Sequence, residues 1–249
     1  MTTNLLLLPG LLEDAEGFAH QVAGLREAAN VVVADLTRSA TMEGLARDAL
    51  EQAPEGPLAI AGHSMGGYVA LEIMRQAPER IAALALLNTN ARPDSPESTE
   101  NRRRLLALAE RDFDAVINTL LARQMTAAHL SNSLLAGTIA NMAHSVGKEA
   151  FARQQNAIIH RIDSRPHLAK IRCKTLVVAA RDDAIMPLDA LEEIAEGVPR
   201  AELVVIDDCG HMAPIEQPDA VTDALHVWLT GRPHKGPEVL AGSRRPAPT

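Results

Sequence analysis

The sequence predicts an α/β fold, a mostly parallel sheet flanked by helices with a helical cap inserted into it. Three observations carry that prediction. Short, continuous apolar runs alternate with segments of helical period toward both ends of the chain, the pattern of repeated strand-helix-strand units. From about Ala91 to Lys170 the alternation stops, and helix-period segments follow one another without a convincing strand. Finally, the apolar run Pro57-Leu58-Ala59-Ile60 passes into Ala61-Gly62-His63-Ser64-Met65-Gly66-Gly67. An apolar helical face of Tyr68, Val69, Leu71, Ile73 and Met74 follows at once.

In chain order, strands are expected at Asn4–Leu8, Val31–Ala34, Leu58–Ala61, Ala82–Leu87, Thr175–Ala180 and Leu203–Ile206. Each is rich in Leu, Val, Ile or Ala without polar alternation, which means burial on both faces. Helices are expected between them at Phe18–Ala28, Met42–Gln52, Met65–Gln76, Leu188–Glu196 and Pro218–Leu229. Thr41 is placed to cap the second helix, and Pro78 and Pro199 to close the third and fourth. Ala91-Arg92-Pro93-Asp94-Ser95-Pro96 is a breaker-rich exit from the sheet. The domain reading is a core of residues 1–90 and 171–230, a cap of 91–170, and a tail of 231–249. The tail's Pro, Gly, Ser and basic residues suggest a flexible or surface-draped extension.

At 249 residues and 47% hydrophobic, the chain can bury one large core. Its formal net charge of −8 argues against nucleic acid as a partner, because a phosphate-binding surface carries a basic excess. Between Arg92 and Lys170 lie 11 basic and 8 acidic residues, so the cap is weakly positive within an acidic chain. Solvated helix faces account for most of that charge. Arg102-Arg103-Arg104 cannot all face one groove, since consecutive helical residues point about 100° apart. Cys173 and Cys209 are too few for a disulfide framework or a thiolate metal site. The histidines show no ligand spacing, so no metal or other cofactor is expected. Met1-Thr2-Thr3-Asn4 followed by Leu5–Leu8 lacks the basic start and the apolar length of a signal peptide. No stretch is long enough to span a bilayer, and a cytoplasmic protein without a membrane partner is expected.

The chemistry centres on Ser64. A serine hydroxyl becomes a nucleophile when it is lifted off the backbone, set beside a base and placed at a helix N-terminus. Gly62 and Gly66, two residues to either side, remove the side chains that would crowd such a strand-to-helix turn. The base and its orienting carboxylate are both available at the ends of strands. Leu176-Val177-Val178-Ala179-Ala180 runs into Arg181-Asp182-Asp183, and the last strand is followed by Asp207-Asp208-Cys209-Gly210-His211. Ligands of open α/β sheets bind at that carboxyl edge. His63, inside the turn, is expected to pack behind Ser64. Met65, Met125, Met142, Met186 and Met212 read as core or as pocket lining. With 3 Phe, 1 Trp and 1 Tyr in the chain, a largely aliphatic pocket is expected.

These residues resemble the α/β-hydrolase superfamily, in particular its small capped esterases and carbon-carbon hydrolases, over nearly the whole chain to about Leu229. The resemblance implies that Asp183 is the acid, within Ala180-Arg181-Asp182-Asp183-Ala184-Ile185-Met186-Pro187, and leaves Asp182 to cap the turn. It implies His211 as the base, within Gly210-His211-Met212-Ala213-Pro214-Ile215-Glu216-Gln217-Pro218, with Glu216 a surface or capping carboxylate. The oxyanion donors would be the N–H of Met65 and one from the loop after the first strand, assigned to Leu11 over Leu12. That loop reads Pro9-Gly10-Leu11-Leu12 where the family usually has His-Gly, so the imidazole that braces it elsewhere is missing. Ala180 stands where the family often has glycine. The expected activity is cofactor-independent hydrolysis of a small ester-like substrate, anionic or carrier-linked if the basic cap contributes. Carbon-carbon, lactone or thioester hydrolysis and acyl transfer use the same residues, and a ligand-binding protein could keep the scaffold without catalysis.

Overall fold

A computed structural model describes residues 3–233 together with 244–245. Seven strands form one sheet in the order β2-β1-β3-β4-β5-β6-β7: β1 Thr3–Leu8, β2 Ala29–Val33, β3 Leu58–His63, β4 Ile81–Leu87, β5 Lys174–Ala180, β6 Glu202–Ile206 and β7 Arg244–Arg245. The first six run parallel, and β7 pairs antiparallel with the edge of β6. The remainder of the expected tail, 234–243 and 246–249, lies outside the described residues.

The continuous apolar strands divide their side chains between two cores. Leu6, Leu8, Leu58, Ile60, Leu84 and Leu86 face α2 (Met42–Gln52), α3 (Met65–Gln76) and, toward β5 and β6, a helix at Leu188–Gly197. Leu5, Leu7, Ala59, Ala61, Ala85 and Leu87 face α1 (Ala19–Leu25) and a helix at Pro218–Thr230, through Leu25, Val221, Leu225 and Trp228. Each fully buried leucine contributes about 1.5–3 kcal/mol, which ties sheet register to burial. The α2 and α3 helices span the residues expected. Thr41 caps α2 by accepting from the Gly44 N–H at 3.0 Å. The first helix is shorter than predicted because Asp14 caps a separate 3-10 turn at Ala15–Phe18, and β2 starts two residues early.

Between β4 and β5 come five helices: α4 Pro96–Ala109, α5 Phe113–Gln124, α6 Ala127–Leu130, α7 Ser133–Ile159 and α8 Arg165–Leu168. Ser95, Asp112, Thr126 and Asn132 cap the first four, each through a side-chain oxygen. The long α7 bends at Gly147, whose φ of 81° only glycine adopts readily. Ala157 and Ile158 of α7 and Leu168 of α8 join the core beneath the sheet, and two small clusters hold the rest of the insertion. Val116, Ile117, Ala143 and Phe151 enclose Leu12 of the β1 loop, and Met125, Ile139 and Met142 enclose Met212. After β5 and β6 follow α9 Leu188–Gly197, α10 Ala213–Glu216 and α11 Pro218–Thr230. Among the described residues, no helix is long and apolar enough to cross a membrane.

Candidate active site

β3 gives way to α3 through a single residue, Ser64, at φ 51° and ψ −115°. Positive φ is costly for a residue with a Cβ and persists only where its surroundings enforce it. Here the Ser64 N–H donates to the Leu87 carbonyl at 2.9 Å, while the Ser64 carbonyl accepts from the Thr89 hydroxyl at 2.8 Å and the Gly67 N–H at 3.0 Å. A Cβ on Gly62 would lie 2.2 Å from the Gly66 carbonyl oxygen, and one on Gly66 would lie 1.9 Å from that of Leu8. The turn therefore needs both glycines, and it carries the Ser64 hydroxyl at the N-terminus of α3.

The loops after β5 and β6 bring their side chains to that hydroxyl. His211 Nε2 lies 2.8 Å from Ser64 Oγ, and His211 Nδ1 lies 2.7 Å from Asp183 Oδ2. Asp183 also accepts from Asn88 Nδ2 at 2.8 Å and from the N–H groups of Ile185 and Met186 at 2.8 and 2.9 Å. Burial alone would raise the Asp183 carboxyl. The His211 ring beside it, with the Asn88 and Met186 hydrogen bonds, outweighs burial and holds it below the usual carboxylate range. An imidazole with a carboxylate on Nδ1 is fixed in the tautomer that accepts a proton at Nε2. The turn-capping role expected of Asp182 falls instead to Asp183 Oδ1. The Asp182 N–H donates to the Cys209 carbonyl at 3.0 Å.

Leu11, Ser64, Met65 and His211 line one cavity. The N–H groups of Leu11 and Met65 meet no acceptor among the described residues, whereas the Leu12 N–H is taken by Gln154 Oε1 at 3.1 Å. Two free backbone donors beside a serine hydroxyl can hold a developing oxyanion.

His63 does sit behind Ser64, but in an ion pair that sequence reading missed. Its Nδ1 lies 2.9 and 3.0 Å from the two Glu13 carboxylate oxygens, and its Nε2 lies 2.8 Å from the His211 carbonyl. Both ring nitrogens face acceptors, so both carry hydrogen. Burial would lower the His63 pKa, but Glu13 in first place and then the His211 carbonyl and Asp183 raise it above the ordinary histidine value. Glu216 is not on the surface. It is buried, capping the Met212 N–H at 3.1 Å while its other oxygen accepts from Thr126 N–H at 3.0 Å and lies 2.8 Å from His129 Nδ1. The Gln124 carbonyl, in turn, accepts the N–H groups of His211 and Met212. Asn88 and Thr89 had a faint signal, a polar Asn-Thr-Asn run directly after β4 at the carboxyl edge. Glu13 and Gln124 had none.

The cavity, about 360 Å³, corrects the expectation of an aliphatic pocket. Leu105, Leu120, Ile158 and Met186 are there, but Asp94, Arg102, Arg123, Gln155 and Arg161 project into the same space. Arg102 and Arg161 both pair with Asp94 Oδ1, at 3.2 and 2.8 Å, and Arg102 also donates to Gln155 Oε1 at 2.9 Å. Arg161 stacks over the Tyr68 ring at 4.4 Å. Burial would raise the Asp94 carboxyl, and the two guanidiniums hold it below its ordinary value instead. Of the arginine triplet only Arg102 lines the cavity, as the helical spacing requires.

The family model for the alpha/beta hydrolase fold matches residues 3–218. RutD of Azorhizobium caulinodans, assigned as a carbamate hydrolase, is 30% identical over 67% of the chain, which spans 63% of that relative's length. The 2-hydroxy-6-oxo-6-phenylhexa-2,4-dienoate hydrolase of Burkholderia cepacia is 28% identical over 84% of this chain and 73% of its own. A thermophilic esterase from Thermogutta terrifontis, solved with malate bound, superposes with a TM-score of 0.85 at 33% identity, covering 92% of this chain and 91% of its own.

Proposed function

The chain belongs to the alpha/beta hydrolase fold family, and from that premise we propose that it is a cofactor-independent serine hydrolase cleaving a carboxylic ester or a related acyl bond. The observation that carries this reading is the continuous hydrogen-bonded line from Asp183 through His211 to Ser64 Oγ, whose hydroxyl shares its cavity with the backbone of Leu11 and Met65. Ser64 Oγ attacks the carbonyl carbon as His211 Nε2 takes its proton, and the carbonyl oxygen gathers charge against the Leu11 and Met65 N–H groups. Collapse of the tetrahedral adduct expels the alcohol, which takes the proton back from His211. Water, deprotonated by the same imidazole, then attacks the acyl-serine, and collapse of this second tetrahedral adduct releases the acid as His211 returns the proton to Ser64 Oγ. Asp183 stays ionised throughout and stabilises the imidazolium.

The cavity narrows the substrate class. Arg102, Arg123 and Arg161 line the cavity against Asp94 and Glu97, Glu13 is taken up by His63, and among the described residues Arg123 meets no acidic partner, so the wall keeps a small net positive charge. A small ester bearing a carboxylate on its acyl side suits that wall and a volume of about 360 Å³. The malate bound to the Thermogutta terrifontis esterase, a dicarboxylate, is consistent with this.

Fluorophosphonate labelling with peptide mapping tests the reading. One adduct on Ser64, absent in Ser64→Ala, is expected. A folded wild-type protein that takes no adduct refutes it. With labelling in hand, a methyl half-ester of succinate should turn over with a lower KM than methyl butyrate.

A further inference from the structure

The geometry points to Glu13 and His63 as positioning residues whose buried ion pair holds the oxyanion loop in register with the Ser64 turn and the His211 backbone. The inference rests on the hydrolase reading above and adds residues that act through the loop and not on the reacting atoms, although Glu13 also lines the cavity.

The loop after β1 begins with Pro9, which has neither an N–H nor a polar side chain with which to fix it. Glu13 does the fixing from within the loop. One carboxylate oxygen accepts the Gly10 N–H at 2.9 Å, and the carboxylate lies so close that a Cβ on Gly10 would be 2.3 Å from its other oxygen. The same carboxylate bridges to His63 Nδ1, and His63 Nε2 donates to the His211 carbonyl. Three segments distant in sequence are thus joined in one chain: the loop that holds Leu11, the residue directly before the nucleophile, and the residue that carries the base. Leu12 is pinned independently by Gln154 at φ 60°, so the Leu11 N–H sits between two fixed points. Both charges are almost wholly buried, with side-chain exposures of 0% for His63 and 4% for Glu13. A buried pair of this kind contributes little net stability over apolar residues but fixes a geometry sharply, because each charge has only one good position.

A donor that moves by a few tenths of an ångström loses grip on the oxyanion before it loses grip on the ground state. Removing the pair should therefore lower kcat and leave KM nearly unchanged. The experiment compares Glu13→Gln, His63→Gln and the double variant Glu13→Gln/His63→Gln, each checked for folding by its thermal melt. The double variant leaves no buried charge unpaired and so keeps the test available should either single variant fail to fold. Two readouts are taken: kcat and KM for p-nitrophenyl acetate, and the inhibition constant of a trifluoromethyl ketone, whose Ser64 adduct carries the oxyanion. We expect kcat to fall about 10–100-fold, the size of effect an impaired oxyanion donor gives. KM should stay within about twofold and ketone affinity should weaken in step with kcat. A folded double variant with wild-type kcat and ketone affinity overturns the inference. So does a loss of kcat with ketone affinity intact, which would mean that the pair acts on some step other than through the oxyanion donors. Wild-type labelling at Ser64 separates either result from a failure of the hydrolase reading itself.

Discussion

Ser64 and Asp183 follow strands that are buried on both faces and His211 stands on the loop after β6, whereas Arg102, Arg123 and Gln155 project into the cavity beside them from α4, α5 and α7. The first group has no freedom to drift. Strand register is fixed by rows of fully buried leucines, and a one-residue slip would turn every side chain to the wrong core. The second group stands on helices joined to the sheet by two small clusters, a few polar contacts and the end of α7, where Ala157 and Ile158 reach the main core. A change on those helix faces alters what the cavity receives without moving the hydroxyl, imidazole and carboxylate. The sheet edge is thus suited to hold the chemistry constant and the insertion to vary the substrate.

Substitutions on the two sides should separate kcat from KM. The largest effect belongs to Ser64→Ala, expected to lower kcat for any ester by about 10⁴-fold or more. Calorimetry should meanwhile find a succinate half-ester still bound, because the cavity arginines are untouched. Loss of binding together with loss of turnover would break the division of labour. Asp183→Asn comes next, with kcat down by about 10²–10⁴-fold through a misplaced proton on His211. It also has an acid signature. The folded Asp183 carboxyl lies below its unfolded value, so its contribution to stability is complete above the ordinary value of about 3.9 and fades as pH falls through the lower folded one. Melting curves of wild type and variant should accordingly differ at neutral pH and converge in strong acid. Arg102→Met sharpens the comparison from the other side. KM for the half-ester should rise about tenfold, the scale of one lost charge-assisted contact, while kcat and neutral-ester kinetics hold. The smallest effect is expected for Leu134→Ser at the outer end of α7, where the side chain is 80% exposed. Its melt and kinetics should stay within about 0.5 kcal/mol of wild type.

What could be read from the sequence follows the same division. α2 and α3 begin and end at the expected residues because caps, glycines and apolar period agree there with the tertiary fold. Ser64, Asp183 and His211 could be found because each sits at a strand's carboxyl end or on the short loop after it, and chain order then matters more than distance. Glu13 could not, since its partner lies 50 residues away and nothing local distinguishes it from a solvated loop carboxylate. Cavity polarity was misjudged for a related reason. Composition counts aromatic and charged residues but says nothing of which side of α4 faces inward, and a step of one residue, about 100° of rotation, turns Arg103 away from the cavity that Arg102 lines.

Gln124 closes α5, and its carbonyl receives both the His211 and the Met212 N–H. The insertion is therefore no exchangeable cassette. A chimera that borrowed another set of helices would leave the histidine loop without its acceptor, and would disturb the proton relay while aiming only at selectivity. Any graft meant to retarget this scaffold has to bring along a carbonyl at that one position.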